Sequence, residues 1–202
     1  EDGLSLDVPG VKIEGEGMDA SILEFSNQKS GAQGLLVTSD NVTLQDFAVV
    51  NAKGDAIKSK GADNISFIRV KTEWTGGPKT TNGAYGLYPV ESENILIDDC
   101  VAIGASDAGI YVGQSKNIIV KNSFVKHNVA GIEIENSFYA DVFDNLAEEN
   151  TGGILVFDLP DLPQQGGHHV RVFNNKVINN NTPNFAPEGN IVGEVPSGSG
   201  IM

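Results

Sequence analysis

A period of 23 residues constrains this chain more than any other feature. Six short runs align, the first four led by Asn: Asn41-Val-Thr-Leu, Asn64-Ile-Ser-Phe, Asn94-Ile-Leu-Ile, Asn117-Ile-Ile-Val, Ala140-Asp-Val-Phe and His169-Val-Arg-Val. Their starts lie 23, 30, 23, 23 and 29 residues apart. The two long intervals read as one 23-residue unit plus insertions of seven and six residues. A second set of runs keeps the same phase: Gly34-Leu-Leu-Val, Asp55-Ala-Ile-Lys, Tyr85-Gly-Leu-Tyr, Ala108-Gly-Ile-Tyr, Ala130-Gly-Ile-Glu and Gly152-Gly-Ile-Leu. Each places a small residue before an apolar one and an outward residue after it. Five residues into the first runs sit Asp46, Arg69, Asp99, Asn122, Asn145 and Asn174. Asn tolerates left-handed backbone, and its amide can bond to the unit above or below, so this column reads as a bend.

A unit of this length holds two or three short strands joined by turns. It cannot bury its apolar side alone, so stacked units must share one core. A layered α/β domain would need amphipathic helices of ten or more residues between strands, and no run has that spacing. The expected fold is therefore all-β, a right-handed parallel β-helix with coils of about 23 residues. Leu4 to Val8, Val11 to Gly15 and Ile22 to Phe25 read as strands of the same scheme. Residues 1–202 form one domain in this reading, possible as a piece of a longer solenoid, since the chain opens at Glu1 without a methionine. Residues 179–202, rich in Asn, Pro and Gly, form an irregular tail or a last coil.

Charge and cysteine narrow the function. The chain carries 27 acidic against 13 basic residues, a net −14. Nucleic acid is excluded as the main partner, because phosphate binding needs clustered Lys and Arg. The single cysteine, Cys100, rules out an internal disulfide and is expected as a small buried residue. No run reaches the roughly 18 apolar residues of a membrane helix, so no membrane insertion is expected. His168 and His169 are neighbours in a strand and point opposite ways, so no metal site is expected there. His127 aligns with the turn positions of Asn51, Trp74, Gly104 and Asn150.

Alternate strand residues share a face. With Ile110, Ile132 and Ile154 inward, Lys58, Tyr88, Tyr111, Glu133 and Leu155 turn outward. Lys60, Gly113, Glu135 and Phe157 share that outer face. Coils lie about 4.8 Å apart, so Tyr88, Tyr111 and Glu133 span about 10 Å, the scale of two sugar rings. The insertion at Thr72 to Gly83 ends just before the Tyr85 strand, and that at Asp158 to Gly167 starts just after the Gly152 strand. Both can wall this face, and long loops on a rigid scaffold commonly carry function. Aromatic faces stack on sugars, and carboxylates and amides bind hydroxyls. Candidate catalytic residues are Tyr88, Tyr111, Glu133 and Lys58. Candidate substrate-binding residues are Trp74, Lys60, Lys79, Tyr85, Asp107, Glu135, Asp158 and His168.

The stretch from Tyr85-Gly-Leu-Tyr-Pro-Val through Asp107-Ala-Gly-Ile-Tyr-Val-Gly-Gln-Ser to Ala130-Gly-Ile-Glu-Ile-Glu-Asn-Ser resembles secreted bacterial parallel β-helix repeat proteins of the pectin-lyase-like superfamily. Carbohydrate-binding β-helices, mannuronan C5-epimerases and the β-helix accessory protein of nitrous oxide reductase belong to that group. The resemblance implies a secreted or periplasmic protein that acts on a polysaccharide as a lyase, epimerase or hydrolase. The epimerases' Asp-Pro-His-Asp signature and the pectate lyases' basic set are both missing from the sequence. A non-catalytic carbohydrate- or partner-binding scaffold is therefore the alternative. A uronate lyase or epimerase would use Tyr88 or Tyr111 as base or acid, with Lys58, Lys60 or Lys79 on the carboxylate. A hydrolase would pair Glu133 with Asp158 or Asp107. No cofactor is certain, though Ca²⁺ would bridge an anionic substrate to so acidic a chain.

Overall fold

The computed structural model describes residues 2–202. They build a right-handed parallel β-helix whose strands all pair in parallel. One sheet stacks eight strands: Asp2–Leu6, Ser30–Val37, Asp55–Lys60, Tyr85–Val90, Ala108–Gly113, Ala130–Glu135, Gly152–Phe157 and Ser199–Ile201. The second sheet holds the remaining twelve. Thr43–Val50 and Ile65–Glu73 run through its bend unbroken. Later coils divide there into pairs, such as Glu93–Asp98 with Val101–Ile103 and Lys116–Lys121 with Phe124–Lys126.

The core follows from the inward positions. Leu35, Ile57, Leu87, Ile110, Ile132 and Ile154 lie in register along the first sheet, each at most 3% exposed. They face Ile95, Ile97, Ile118, Val120, Ala140 and Val142 of the second. Full burial stabilises by about 1.5–3 kcal/mol per aliphatic side chain. The column exists only because coils stack.

Each coil turns through left-handed corners. At the bend of the second sheet sit Asp46, Arg69, Asp99, Asn122, Asp144 and Asn174, with φ between 50° and 58°. The fifth member of the expected column is thus Asp144, not Asn145. Ile118 pairs with Ala140, so Asn117 has Tyr139 as its neighbour and that coil is one residue shorter than the repeat. Asn145 lies one step further and points inward. A similar shift applies at the next corner, where Asn51, Gly104, His127 and Glu149 are left-handed while Asn150 is buried. The exposed corner Asn41, Asn64, Asn94 and Asn117 carries an amide ladder, each Nδ2 donating to the preceding Oδ1 at 2.9–3.1 Å.

Three buried ladders lie inside the corners. Asn128 N–H donates to Asn150 Oδ1 (2.9 Å) and Asn150 N–H to Asn180 Oδ1 (3.1 Å). Ser123 N–H reaches Asn145 Oδ1 (2.9 Å), and Asn145 N–H reaches Asn175 Oδ1 (3.0 Å). Ser92 and Ser115 N–H donate likewise to the hydroxyls of Ser115 and Ser137. These bonds answer backbone donors that the turns take out of the sheets. They also explain the small residue that precedes each inward Ile. A Cβ on Gly109 would stand 2.6 Å from Asn128 Nδ2, and one on Gly131 would stand 2.5 Å from the Gly153 carbonyl. Cys100 is buried, its Sγ donating to the Phe67 and Asp98 carbonyls at 3.4 Å.

Asn150→Ala strands the Asn128 N–H and the Val125 carbonyl inside the core. At about 1–3 kcal/mol for each orphaned group, the loss is about 3 kcal/mol or more. Asn94→Gly keeps a left-handed corner and removes only an exposed amide, at a cost of about 1 kcal/mol. Urea denaturation followed by circular dichroism should rank the two in that order.

Candidate functional site

The outer face of the first sheet gathers tyrosines and carboxyls. Lys58 stands beside Tyr88, and Tyr111 beside Glu133, in adjacent coils. Leu155 follows Glu133. Tyr85, Tyr88 and Tyr111 form one cluster with ring centroids 4.4–4.8 Å apart. The Lys58 ammonium lies 4.2 Å from the centre of the Tyr88 ring. Tyr111 donates its hydroxyl to Glu135 Oε1 at 2.8 Å. This network brings Lys58, Tyr85, Tyr88, Tyr111, Asp107, Glu133 and Glu135 onto one surface.

The row is less open than alternation implies. Glu133 is 2% and Tyr111 4% exposed. The chain after Asn180 crosses this face before returning as the strand Ser199–Ile201. Its Val192 and Val195 pack on Ala108, Tyr111, Ala130 and Leu155, with Phe185 and Ala186 alongside. Asn184 holds the crossing segment together, its Nδ2 donating to the Val192, Gly193 and Val195 carbonyls. Tyr85, Tyr88 and Lys58 keep partial exposure at the uncovered side.

Burial sets the electrostatics. Desolvation, then repulsion from Asp107 and Glu135, pushes the Glu133 carboxyl well above the usual carboxylate range. Glu133 Oε1 has no hydrogen-bond partner in the protein. Burial also pushes Asp107 up to about 7, against the pull of the Tyr85 hydroxyl. Glu135 rises by burial, offset by the Tyr111 hydroxyl and reinforced by Asp158. Asp55 rises by burial despite the attraction of Lys58. The tyrosines move the same way. Burial and then nearby carboxylates raise Tyr85 and Tyr111 strongly and Tyr88 to about 12. All three therefore hold their protons and serve as donors or ring surfaces.

A family model described as a right-handed β-helix region matches residues 9–161. The chain belongs to the right-handed β-helix family. No curated protein matches it. Among solved structures it is similar to the A-module of the mannuronan C-5 epimerase AlgE6 of Azotobacter vinelandii. The identity there is 12% and the TM-score 0.32, over 77% of this chain and 70% of that one. It is also similar to the tailspike protein of E. coli bacteriophage HK620, solved in complex with a pentasaccharide. That match has 10% identity and a TM-score of 0.44, over 87% of this chain and 44% of the tailspike. This β-helix thus spans less than half the length of the tailspike.

Other residues singled out from the β-helix sequence lie elsewhere. Trp74 is a correction: it sits in the core at 5% exposure, its indole N–H donating to the Ala52 carbonyl at 2.7 Å, and offers no ring to a ligand. Lys79 is exposed in the first insertion, with its ammonium over Gly76. Lys60 is exposed and faces Glu91 at 3.6 Å. His168 stacks on Phe138 in the second sheet, at a centroid distance of 4.4 Å. Asp158 closes the second insertion by accepting the Gly167 N–H at 2.7 Å, near enough to Glu135 to repel its charge. Sequence reasoning missed Asp55, which starts the Lys58 strand, and missed the covering role of Val192 and Val195. Among the described residues, no three His, Cys, Asp or Glu side chains group to hold a metal ion.

The raised Asp107 carries a stability signature. Its folded pKa of about 7 exceeds the ordinary value of 3.8, so the folded state binds the extra proton between those limits. The resulting stabilisation is full below about 3.8 and is lost as pH rises through about 7. Asp107→Asn should flatten the fall in thermal midpoint between pH 4 and pH 8 and raise the midpoint at pH 8. A parallel fall in the variant and the wild type would refute this assignment.

Proposed function

We propose that this β-helix acts on a polysaccharide outside the cytoplasm, through acid–base chemistry of the carboxyls beneath its tyrosine cluster. The carrying observation is the gathering of Asp55, Asp107, Glu133 and Glu135 around the tyrosine cluster, where burial raises the proton affinity of each, Glu133 without a hydrogen-bond partner at Oε1 and Glu135 against the pull of the Tyr111 hydroxyl. Carboxyls set apart in this way can divide the labour of glycoside hydrolysis. One stays protonated and serves the leaving oxygen, while another is ionised and supports the developing positive charge. Glu133 is the proton donor in this reading. Glu135, steadied by the Tyr111 hydroxyl, is the charged partner. Tyr85 and Tyr88, partly exposed, offer ring faces to the sugar, and Lys58 borders the entry.

Several features support hydrolysis over a uronate lyase or epimerase. Tyrosines that hold their protons make poor bases for a C5 proton. A concentration of buried carboxyls repels an anionic sugar, and Lys58 already lies over the Tyr88 ring. The substrate class is thus a neutral glycan. The scaffold alternative draws on the cover by Val192 and Val195, which leaves little of Glu133 within reach of a glycosidic bond.

Incubation with neutral and uronate polysaccharides should release reducing ends from a neutral one, with no rise in absorbance at the wavelength of unsaturated uronates. Glu133→Gln should lower that rate by about a hundredfold or more, the scale of a lost general acid. Binding without turnover would replace catalysis by the scaffold reading. Neither binding nor turnover on any glycan would remove both.

A further inference from the structure

A second concavity lies at the corner where strands of the first sheet pass into the second. It is an open groove of about 560 Å³, and Glu91, Gln114, Lys116, Phe138, Pro163 and Gln164 are among the residues that line it. Glu91 and Gln114 occupy the same left-handed corner in successive coils, with φ of 55° and 51°. Asn136 occupies that corner in the next coil, with φ of 44°. Three coils at about 4.8 Å spacing give a floor about 10 Å long.

The second insertion forms its end wall, and Asn136 fixes it there. Asn136 Nδ2 donates to the Leu159 and Gln164 carbonyls at 2.9 and 2.8 Å, and its Oδ1 accepts the Leu159 N–H at 2.7 Å. Gln164 Nε2 returns two bonds, to the Ser115 and Asn136 carbonyls. The wall is thereby set before any ligand arrives, which lowers the entropic cost of binding.

Gln114 supplies the unsatisfied group. Its Oε1 is buried and has no partner in the protein. Rotation of the Gln114 amide into the groove would let a ligand hydroxyl relieve the cost of leaving that acceptor bare. Glu91 is exposed and only loosely faced by Lys60, so its carboxylate is free to accept hydroxyls. Lys116, the cation of the groove, is taken up by Glu93 at 2.8 Å. Phe138 and Pro163 add apolar surface of the kind that meets the C–H face of a sugar ring. With Lys116 paired to Glu93, the surplus of carboxylates Asp63, Glu91 and Glu93 along the groove selects against uronate and sulfate groups.

We propose that this corner groove binds a neutral oligosaccharide of two or three residues, gripping the chain without reacting with it. The groove borders the carboxyl–tyrosine face at Glu91, whose charge is felt at Tyr88. A longer glycan held here would continue toward that face. The groove's binding does not depend on the hydrolysis proposed above.

The test uses the 202-residue chain and a panel of glucose-, mannose-, galactose- and N-acetylglucosamine-based oligomers of two to six residues, with their uronate counterparts. Calorimetry should find a neutral oligomer whose affinity stops rising at three residues. Its addition should shift the side-chain amide resonances of Gln114 and Gln164. Gln114→Asn keeps a residue suited to the left-handed corner but shortens the acceptor. It should weaken binding at least tenfold with an unchanged thermal midpoint. Unaltered affinity in Gln114→Asn, uronates binding as tightly as neutral sugars, or no binding across the panel would each overturn the proposal. Turnover lost in Glu133→Gln with groove binding intact concerns only the carboxyl face, so the two readings fail separately.

Discussion

Buried side-chain amides and hydroxyls, each accepting a backbone N–H from the neighbouring coil, are the interaction on which the rest of this β-helix depends. Asn128, Asn150 and Asn180 form one such ladder where the second sheet passes into the first. Asn150 Nδ2 also donates to the Val125 and Glu148 carbonyls, so one side chain ties together three coils. A turn within a core would otherwise leave donors without partners, each costing about 1–3 kcal/mol. The ladder needs room, and glycine beside it provides that room. The Gly109 and Asn128 pair is therefore one device, in which the missing Cβ and the present amide require each other.

The spacing fixed by these ladders governs the outer face. Tyr111, Glu133 and Leu155 fall one behind another because their coils are held in register at both ends of the strand, by the serine ladder on one side and the asparagine ladder on the other. Stacking places like charges close together where like residues recur: after burial, Asp107 and Glu135 raise the proton affinity of Glu133, and Glu135 and Asp55 raise that of Asp107. Such a row works against stability at neutral pH. A solenoid can accommodate it because the opposing terms, the inward isoleucine column and the ladders, repeat in every coil.

What was legible in the sequence was whatever repeats. The period gave the coils, the Gly-Ile step gave the inward column, and strict alternation placed Lys58, Tyr88, Tyr111 and Glu133 on one face. Features that depend on a single pairing were not legible. Trp74 reads as a surface aromatic in a polar insertion, yet its indole finds the Ala52 carbonyl in the preceding coil and the ring follows it inward. The coil that ends at Tyr139 is one residue short, and Ala140-Asp-Val-Phe imitates the Asn-led runs closely enough to conceal it. That single step separates the left-handed Asp144 from the buried Asn145. Asp55 escaped notice because Ala108 and Ala130 fill its place in later coils, leaving no recurring charge at that position.

The least legible element has the largest effect on the site. Residues 184–196 carry no repeat, and their short helix Ile191–Glu194 is held by Asn184 rather than by a sheet. Yet Val192 and Val195 are what cover Tyr111 and Leu155. Burial is the first cause of the raised proton affinity at Asp55, Asp107, Glu133 and Glu135 alike. Without that cover, Glu133 would be a solvated carboxylate on an outer strand, with an ordinary proton affinity. The repeat thus sets where the carboxyls stand, and the non-repeating segment sets what they can do. Asp107 adjoins Tyr85 and Asp55, Asp55 adjoins Lys58, and of these Tyr85, Asp55 and Lys58 remain partly exposed. Ring faces and a lysine are thus the solvent-facing part of this group, and the carboxyl with the strongly raised proton affinity is its buried part.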